Sequence, residues 1–253
     1  MAVTVTRALR TVLTLPSLGP ATCLCLDLDD VCMTVAETVG SEAWEAALAQ
    51  ELQKLSGQPS GQARGTAGQL WRALNWVAPV RAPESGDTAA VVRELQNRAA
   101  HCIGLTARDA VLAPLTRRQL RVLDIDFQPP SATVGQQDET ERLDLGMGVV
   151  YLQGVVYCGN NSKREALRRY FCAPAAVRAR YWPTLPELST LSNCIHIDDK
   201  HSHLTDLADG AGLLPFSCLG GYDVLGTATA YTGIGVDGCC CCHRYRRLQG
   251  RAR

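Results

Sequence analysis

The ten residues Thr22-Cys23-Leu24-Cys25-Leu26-Asp27-Leu28-Asp29-Asp30-Val31 constrain the chain more than any other stretch. A short apolar run that ends abruptly in three carboxylates predicts a buried strand whose C-terminal end delivers acids to the rim of a sheet, where open α/β folds bind their ligands. Side chains alternate along a strand, so Asp27 and Asp29 project to one side and can face one cation or one phosphate. A core strand running into an acidic turn is the plainer reading of these residues taken alone.

The rest of the chain predicts what surrounds that strand. Residues 3–15 carry Val5, Leu9, Val12 and Leu13 and read as a short amphipathic helix ended by Pro16 and Gly19-Pro20. Helices are predicted over Thr34–Leu55 and about Ala67–Trp76, separated by Ser56-Gly57-Gln58-Pro59-Ser60-Gly61 and closed by Pro79 and Pro83. With no strand candidate of its own, the segment 34–85 reads as a helical insert over the mouth of the sheet; helices packed on the sheet face are the alternative. From residue 87 the chain alternates: helix Asp87–Ala100, strand His101–Leu105, helix Arg108–Leu123, a strand pair or bulged strand over Val149–Cys158, helix Arg164–Phe171, strand 193–197, helix Ser202–Ala211 and strand Leu213–Leu219. Residues 124–147 are polar and poorly periodic and read as loop. Strand–helix alternation predicts a parallel sheet with right-handed crossovers, an α/β fold of Rossmann-like type.

Four strand ends then carry chemistry: Asp27 with Asp29, Thr106, Lys163 at the start of a helix, and Asp198 with Asp199. In a parallel sheet these ends lie along one edge. Together they supply a carboxylate nucleophile, a second carboxyl for proton transfer, a hydroxyl and an ammonium to hold phosphoryl oxygens, and carboxylates for a hard divalent cation. Singly, Thr106 reads as a helix cap and Lys163 as an exposed helix lysine.

In this order, as CLCLDLDDV, CIGLTARD, GNNSK and IHIDD, the segments resemble the four motifs of the haloacid dehalogenase superfamily of phosphatases. The resemblance covers most of residues 22–210. It implies an α/β core over 1–33 and 86–220 and a helical cap over 34–85, which the long gap between the first two motifs would house. It further implies that Asp27 attacks phosphorus to give an aspartyl-phosphate, that Asp29 protonates the leaving oxygen and later activates water, and that Thr106 and Lys163 bind the phosphoryl group. Mg²⁺ would be held by Asp27, Asp29 through its backbone carbonyl, and Asp198, with Asp199 close by. GLTARD and HIDDKHSHL are similar to a little-characterised branch of capped members with no assigned substrate. The expected activity is hydrolysis of a small phosphate monoester; Asp29 weighs against dehalogenase chemistry. A catalytically silent binding module on the same fold is the rival reading.

Composition excludes several other classes. Lys plus Arg and Asp plus Glu are both 25, so no basic field recruits nucleic acid. No unbroken apolar stretch of about 18 residues is present, which argues against a membrane span and an ion pump. Arg7 and Arg10 before Val12-Leu13-Thr14-Leu15 imitate a secretory signal, but Pro16 and Pro20 cut it short, and the chain reads as cytoplasmic. Eight of its twelve cysteines are scattered, several in strand-like runs, and read as small buried hydrophobes in a reduced compartment. The other four, Cys239–Cys242, precede a basic run in a tail (221–253) that is a candidate for S-acylation and weak peripheral membrane association, or for disorder. His196, His201 and His203 flank the second acid pair; a solvated loop is preferred over a transition-metal site because no further ligand shares their spacing. Trp44, Trp71 and Trp76 are candidate specificity residues of the insert, with helix packing as their plainer role.

Overall fold

The structure is a computed structural model that describes residues 3–4, 8–83, 87–127, 142–174, 176–177, 191, 193–209, 217–222 and 230–231. Its strands are β1 (Val3–Thr4), β2 (Thr22–Leu26), β3 (Thr34–Val35), β4 (Val80–Arg81), β5 (His101–Thr106), β6 (Leu143–Gly146), β7 (Val149–Leu152), β8 (Val155–Tyr157), β9 (Asn193–Ile197), β10 (Ser217–Tyr222) and β11 (Ala230–Tyr231). Its α-helices are α1 (Glu42–Ser56), α2 (Ser60–Asn75), α3 (Thr88–Arg98), α4 (Ala113–Val122), α5 (Lys163–Phe171) and α6 (His201–Asp209).

β2 is an interior strand of a seven-stranded sheet ordered β10-β9-β2-β5-β8-β7-β6. β10, β9, β2, β5 and β8 run parallel, and β7 and β6 extend the sheet antiparallel. All five β2 residues are buried, as a strand covered on both faces requires. Leu24 and Leu26 share one core with Val91, Val92 and Leu95 of α3 and Ala113 and Leu120 of α4. Cys23 and Cys25 point the other way, into a core with Ala166, Leu167, Tyr170 and Phe171 of α5 and Leu207 of α6. By the same alternation Asp27 projects toward the face of α5 and α6. The buried cysteines Cys23, Cys25, Cys32, Cys158 and Cys194 are free thiols.

The architecture departs from the expectations in several places, among them the start of α4 at Ala113 rather than Arg108 and of α2 at Ser60 rather than about Ala67. The N-terminal segment is a strand at Val3–Thr4 and a 3₁₀ helix at Leu9–Thr14 rather than one α-helix, with Leu9 and Val12 fully buried. Thr34–Val35 is not helical: it pairs antiparallel with Val80–Arg81, so the insert has a two-stranded stem. Leu143–Gly146, read as loop, is the edge strand β6. The C-terminal parallel strand spans Ser217–Tyr222 and so runs past the expected end at Leu219; residues 213–216 of the expected strand lie outside the described residues. Within the tail, Ala230–Tyr231 pairs antiparallel with Val3–Thr4, and Cys239–Cys242 lie outside the described residues. Among the described residues no helix is long and apolar enough to cross a membrane.

α1 starts at Ser41, whose hydroxyl accepts from the Trp44 N–H, and ends on the left-handed Gly57. α1 has no buried residue, so its apolar positions do not form the packed stripe that periodicity suggests. The insert meets the sheet edge through polar contacts: Lys200 pairs with Glu42, Arg118 donates to the Trp76 carbonyl, and Gln119 Nε2 donates to the Asn75 carbonyl at 3.4 Å.

The β7–β8 hairpin turns through Gln153 (φ 48°) and Gly154 (φ 82°), the paired left-handed conformation of a tight two-residue turn. A Cβ on Gly154 would come within 2.3 Å of the Phe127 carbonyl oxygen. Gly154→Ala is therefore expected to destabilise the fold by about 2–3 kcal/mol, since strain and a backbone clash add. Urea denaturation checks it; a loss below about 0.5 kcal/mol would contradict the turn geometry.

Candidate functional site

Register explains how distant acids meet. Leu26 pairs with Ile197, and the Asp27 N–H donates to the Ile197 carbonyl at 2.9 Å, so Asp27 and Asp198 leave adjacent parallel strands at the same level. β5 pairs Gly104 with the final β2 residue, Leu26, and ends two residues later at Thr106. Lys163 opens α5, which is capped by Ser162 accepting from the Glu165 N–H at 3.2 Å. Because α5 packs on the face toward which Asp27 points, its first residue reaches the carboxylates.

Lys163 Nζ lies 2.8 Å from Asp27 Oδ1 and 2.6 Å from Asp198 Oδ2. All three residues are buried: Asp27 is 4%, Lys163 3% and Asp198 0% exposed. Asp27 Oδ1 also accepts from the Leu28 N–H at 2.8 Å. Asp198 accepts from the Lys200 N–H at 2.8 Å. His196 Nε2 lies 2.9 Å from Asp198 Oδ2, and His203 Nδ1 lies 3.1 Å from both Asp198 oxygens. The two histidines are thus part of the site rather than of a solvated loop, which corrects the sequence reading. His196 is buried on β9 because Cys194, His196 and Asp198 share one strand face; His203 arrives from the first turn of α6.

Electrostatics follow from crowding. Burial pushes the Asp27 carboxyl up to about 7; Lys163 opposes that rise, while Asp198 and Asp29 add to it. Burial, then Asp27 and Asp198, push Asp199 up to about 8. Burial also acts to raise Asp198, yet Lys163 and the hydrogen bonds from His196 and His203 hold it well below the carboxylate range. Lys163 stays above its ordinary value because Asp27 and Asp198 outweigh its desolvation. Burial pulls His196 down, against the opposing effect of Asp198.

Asp29 is held differently. Arg108 Nε and Nη2 donate to its two oxygens at 2.9 and 2.6 Å, a two-pronged fork. The same guanidinium donates through Nη1 to Thr116 Oγ1 at 3.1 Å and Gln119 Oε1 at 2.6 Å, and lies 5.6 Å from the Trp71 ring centroid. Arg108 therefore ties Asp29 to α4 and to α2 of the insert. Trp71 gives this cation an aromatic face, a role beyond helix packing; Trp76 does the same for Arg118 at 5.7 Å. The Arg108 N–H donates to Thr106 Oγ1 at 3.1 Å, leaving the Thr106 hydroxyl hydrogen available to a ligand.

Sequence reasoning missed Arg108. A charged residue two positions after a strand-end threonine, with Thr116 and Gln119 three residues apart on the next helix, was the available signal. Arg108→Met is expected to destabilise by about 2–3 kcal/mol, below the ~3–5 of a fully buried pair because Asp29 keeps 21% of its side chain exposed. Arg108→Lys should recover less than half, since an ammonium cannot make the fork. Equilibrium denaturation of the pair checks both statements.

The donor set fits a hard divalent cation. With Asp29 paired to Arg108, the carboxylates Asp27 and Asp198 share the ammonium of Lys163, and the adjoining Asp199 has its Oδ1 buried with no hydrogen-bond partner among the described residues. One donor atom each from Asp27, Asp198 and His203 lies within 4.8 Å of the others. The structure thus brings together Asp27, Lys163 and Asp198, with Asp199 adjoining, sets Thr106 at the neighbouring strand end, and turns the Asp29 carboxylate to Arg108.

No curated protein and no solved structure matches the chain. A family model described as "Protein of unknown function (DUF2608)" matches residues 10–211, a span that contains every one of these site residues. The chain belongs to the DUF2608 family.

Proposed function

We propose that the protein is a divalent-cation-dependent phosphohydrolase of haloacid dehalogenase type, with Mg²⁺ as the expected ion, that acts on a small phosphate monoester through an aspartyl-phosphate. The observation that carries this reading is the Asp27–Lys163–Asp198 cluster at the C-terminal edge of the sheet, with nitrogen–oxygen distances of 2.8 and 2.6 Å. Three chain segments that share no local pattern converge there, in the order of the phosphatase motifs. The helices of residues 34–83 meet the same edge through Arg108, Lys200 and Gln119, which supports their reading as a cap.

Asp27 is the nucleophile. Its Oδ1 is fixed by Leu28 N–H and Lys163, so Oδ2 is the oxygen that bonds to phosphorus as the bond to the leaving oxygen breaks. Lys163 and the Thr106 hydroxyl hold the transferred phosphoryl oxygens. Asp29, once released from one Arg108 hydrogen bond and protonated from solvent, gives that proton to the leaving oxygen, then takes one from the water that displaces Asp27 and releases phosphate. Since both Asp29 oxygens accept from Arg108, one of those hydrogen bonds must be exchanged for the substrate's leaving oxygen before the carboxyl can act as an acid. Asp27, the Asp29 carbonyl and Asp198, with Asp199 beside them, would hold the cation. When bound it neutralises charge between carboxylates and phosphoryl group.

Hydrolysis of an aryl phosphate and a panel of metabolite phosphates, with and without Mg²⁺, tests the reading. An acid quench during turnover should trap a phosphoenzyme that hydroxylamine cleaves, as an acyl phosphate requires. A folded protein that neither turns over any member nor forms the phosphoenzyme would instead support a binding module.

A further inference from the structure

Resting on the cation site just described, we propose that His203 supplies an imidazole nitrogen to it, so that the site selects a first-row transition ion of the Mn²⁺ class over Mg²⁺. The placement of His203 carries the inference. Its Nδ1 lies 3.1 Å from both Asp198 oxygens, and a donor atom of each of Asp27, Asp198 and His203 falls within 4.8 Å of the other two. Donors about 2.0–2.2 Å from one ion stand about 3 Å apart when adjacent and about 4.2 Å apart when opposite. The 3.1 Å between His203 Nδ1 and the Asp198 oxygens matches the adjacent spacing, and the 4.8 Å within which all three donors lie exceeds the opposite spacing by about 0.6 Å.

The fold holds His203 in place. α6 begins three residues after Asp198; Asp198 Oδ1 accepts from the Lys200 N–H, and the His203 N–H donates to the Lys200 carbonyl at 3.0 Å. One short turn therefore fixes the imidazole relative to the carboxylate beside it. The His203 side chain remains 27% exposed, which leaves it room to turn toward an arriving ion.

His196 does not compete for this role. Its side chain is 1% exposed, and its two ring nitrogens lie 2.9 Å from Asp198 Oδ2 and 3.2 Å from the Cys25 carbonyl oxygen. It orients the carboxylate from behind, in the manner of a residue that steadies a ligand. His203 is accordingly the nitrogen donor of the set. Carboxylate and water ligands alone suit Mg²⁺, whereas an added imidazole favours transition ions, whose affinity for nitrogen sites rises along the first row.

Mn²⁺ is the suitable probe, because thiols such as Cys239–Cys242 bind it poorly compared with softer ions. Pulsed electron paramagnetic resonance of Mn²⁺ on the full chain should show one directly bound nitrogen, lost in His203→Ala and in His203→Gln. Calorimetric titration should give at least ~10-fold tighter binding of Mn²⁺ than of Mg²⁺, the ratio falling toward unity in the variants while Mg²⁺ affinity holds within ~3-fold. Circular dichroism confirms that each variant is folded, and the Gln side chain guards against a cavity effect. Mn²⁺ bound without a nitrogen coupling, or a ratio unchanged in both variants, overturns the role of His203. If Mn²⁺ and Mg²⁺ both fail to bind, or bind equally to Asp198→Asn, the cation site itself is wrong and the phosphohydrolase reading falls with it.

Discussion

Asp27→Asn is expected to lower cation-dependent phosphatase turnover by about 10⁴-fold or more while the protein stays folded. An amide cannot form the acyl-phosphate bond, and groups that act as a unit lose nearly all their effect together. The amide keeps an oxygen for the Leu28 N–H and for Lys163, both 2.8 Å from Asp27 Oδ1. The substitution should even favour the folded state at alkaline pH. Asp27 has a folded pKa of about 7, above the ~3.9 of an unfolded aspartate. Between those values the folded chain holds the extra proton, so this group makes stability fall as pH rises from about 4 to 7. Asp199, raised to about 8, acts in the same sense and extends the window upward. Asp198, held low, has the opposite sign and costs stability only as pH drops below the ordinary carboxylate value. In cation-free buffer the wild type should therefore melt progressively lower from pH 5 to pH 8. The Asp27→Asn variant should melt with it at pH 5 and above it at pH 8. Turnover retained above about 1% of wild type in Mg²⁺ would remove Asp27 as nucleophile; parallel melting curves across pH would remove the account of its burial.

How much of this was legible in the sequence depends on the physics behind each element. β2, β5 and β9 announce themselves because strands buried on both faces must be apolar, and the acids after β2 and β9 stand out against that background. α5 carries its own start signal in Ser162 and Glu165, and the helix begins where that pair sets it. The β3–β4 stem carries no signal, because Thr34–Val35 and Val80–Arg81 are two residues each and pair across the whole insert. β6 is hidden for a related reason: an edge strand covered on one side needs few apolar residues, and Leu143–Gly146 is only half-buried. In the site, Asp27, Lys163 and Asp198 can be named from strand ends. Arg108 and His203 are harder to name, because their roles depend on where the bend after β5 and the first turn of α6 aim their side chains rather than on any sequence period. Spacing alone makes the histidines look solvated, yet Asp198 sits between His196 and His203. Contacts made across a sheet edge leave no mark in local pattern.

Lys163→Met is expected to cost about 3–5 kcal/mol of folding stability at pH 8, the range for removing one partner of a buried ion pair. Lys163 faces two carboxylates whose side chains are 6% and 0% exposed. Without the ammonium they confront each other in a medium that solvates neither. An exposed pair such as Arg93–Asp124, 56% and 85% exposed, should by contrast lose no more than about 1 kcal/mol on truncation. Three further outcomes separate this electrostatic cause from simple loss of packing, for which Met is a near match in length. The defect should shrink on acidification toward pH 5, because Asp27 then takes up a proton and only Asp198 stays charged. Millimolar divalent cation should restore part of the lost stability by replacing the missing positive charge. Adding Asp27→Asn should recover about half, so that the double variant is more stable than Lys163→Met alone, a coupling that a double-mutant cycle reads directly. Urea denaturation at both pH values supplies all of these quantities. A Lys163→Met protein within about 1 kcal/mol of wild type at pH 8, or one whose defect ignores pH and cation, would mean that Asp27 and Asp198 are not held together as charged groups, and the nucleophile would then lack the environment that its chemistry requires.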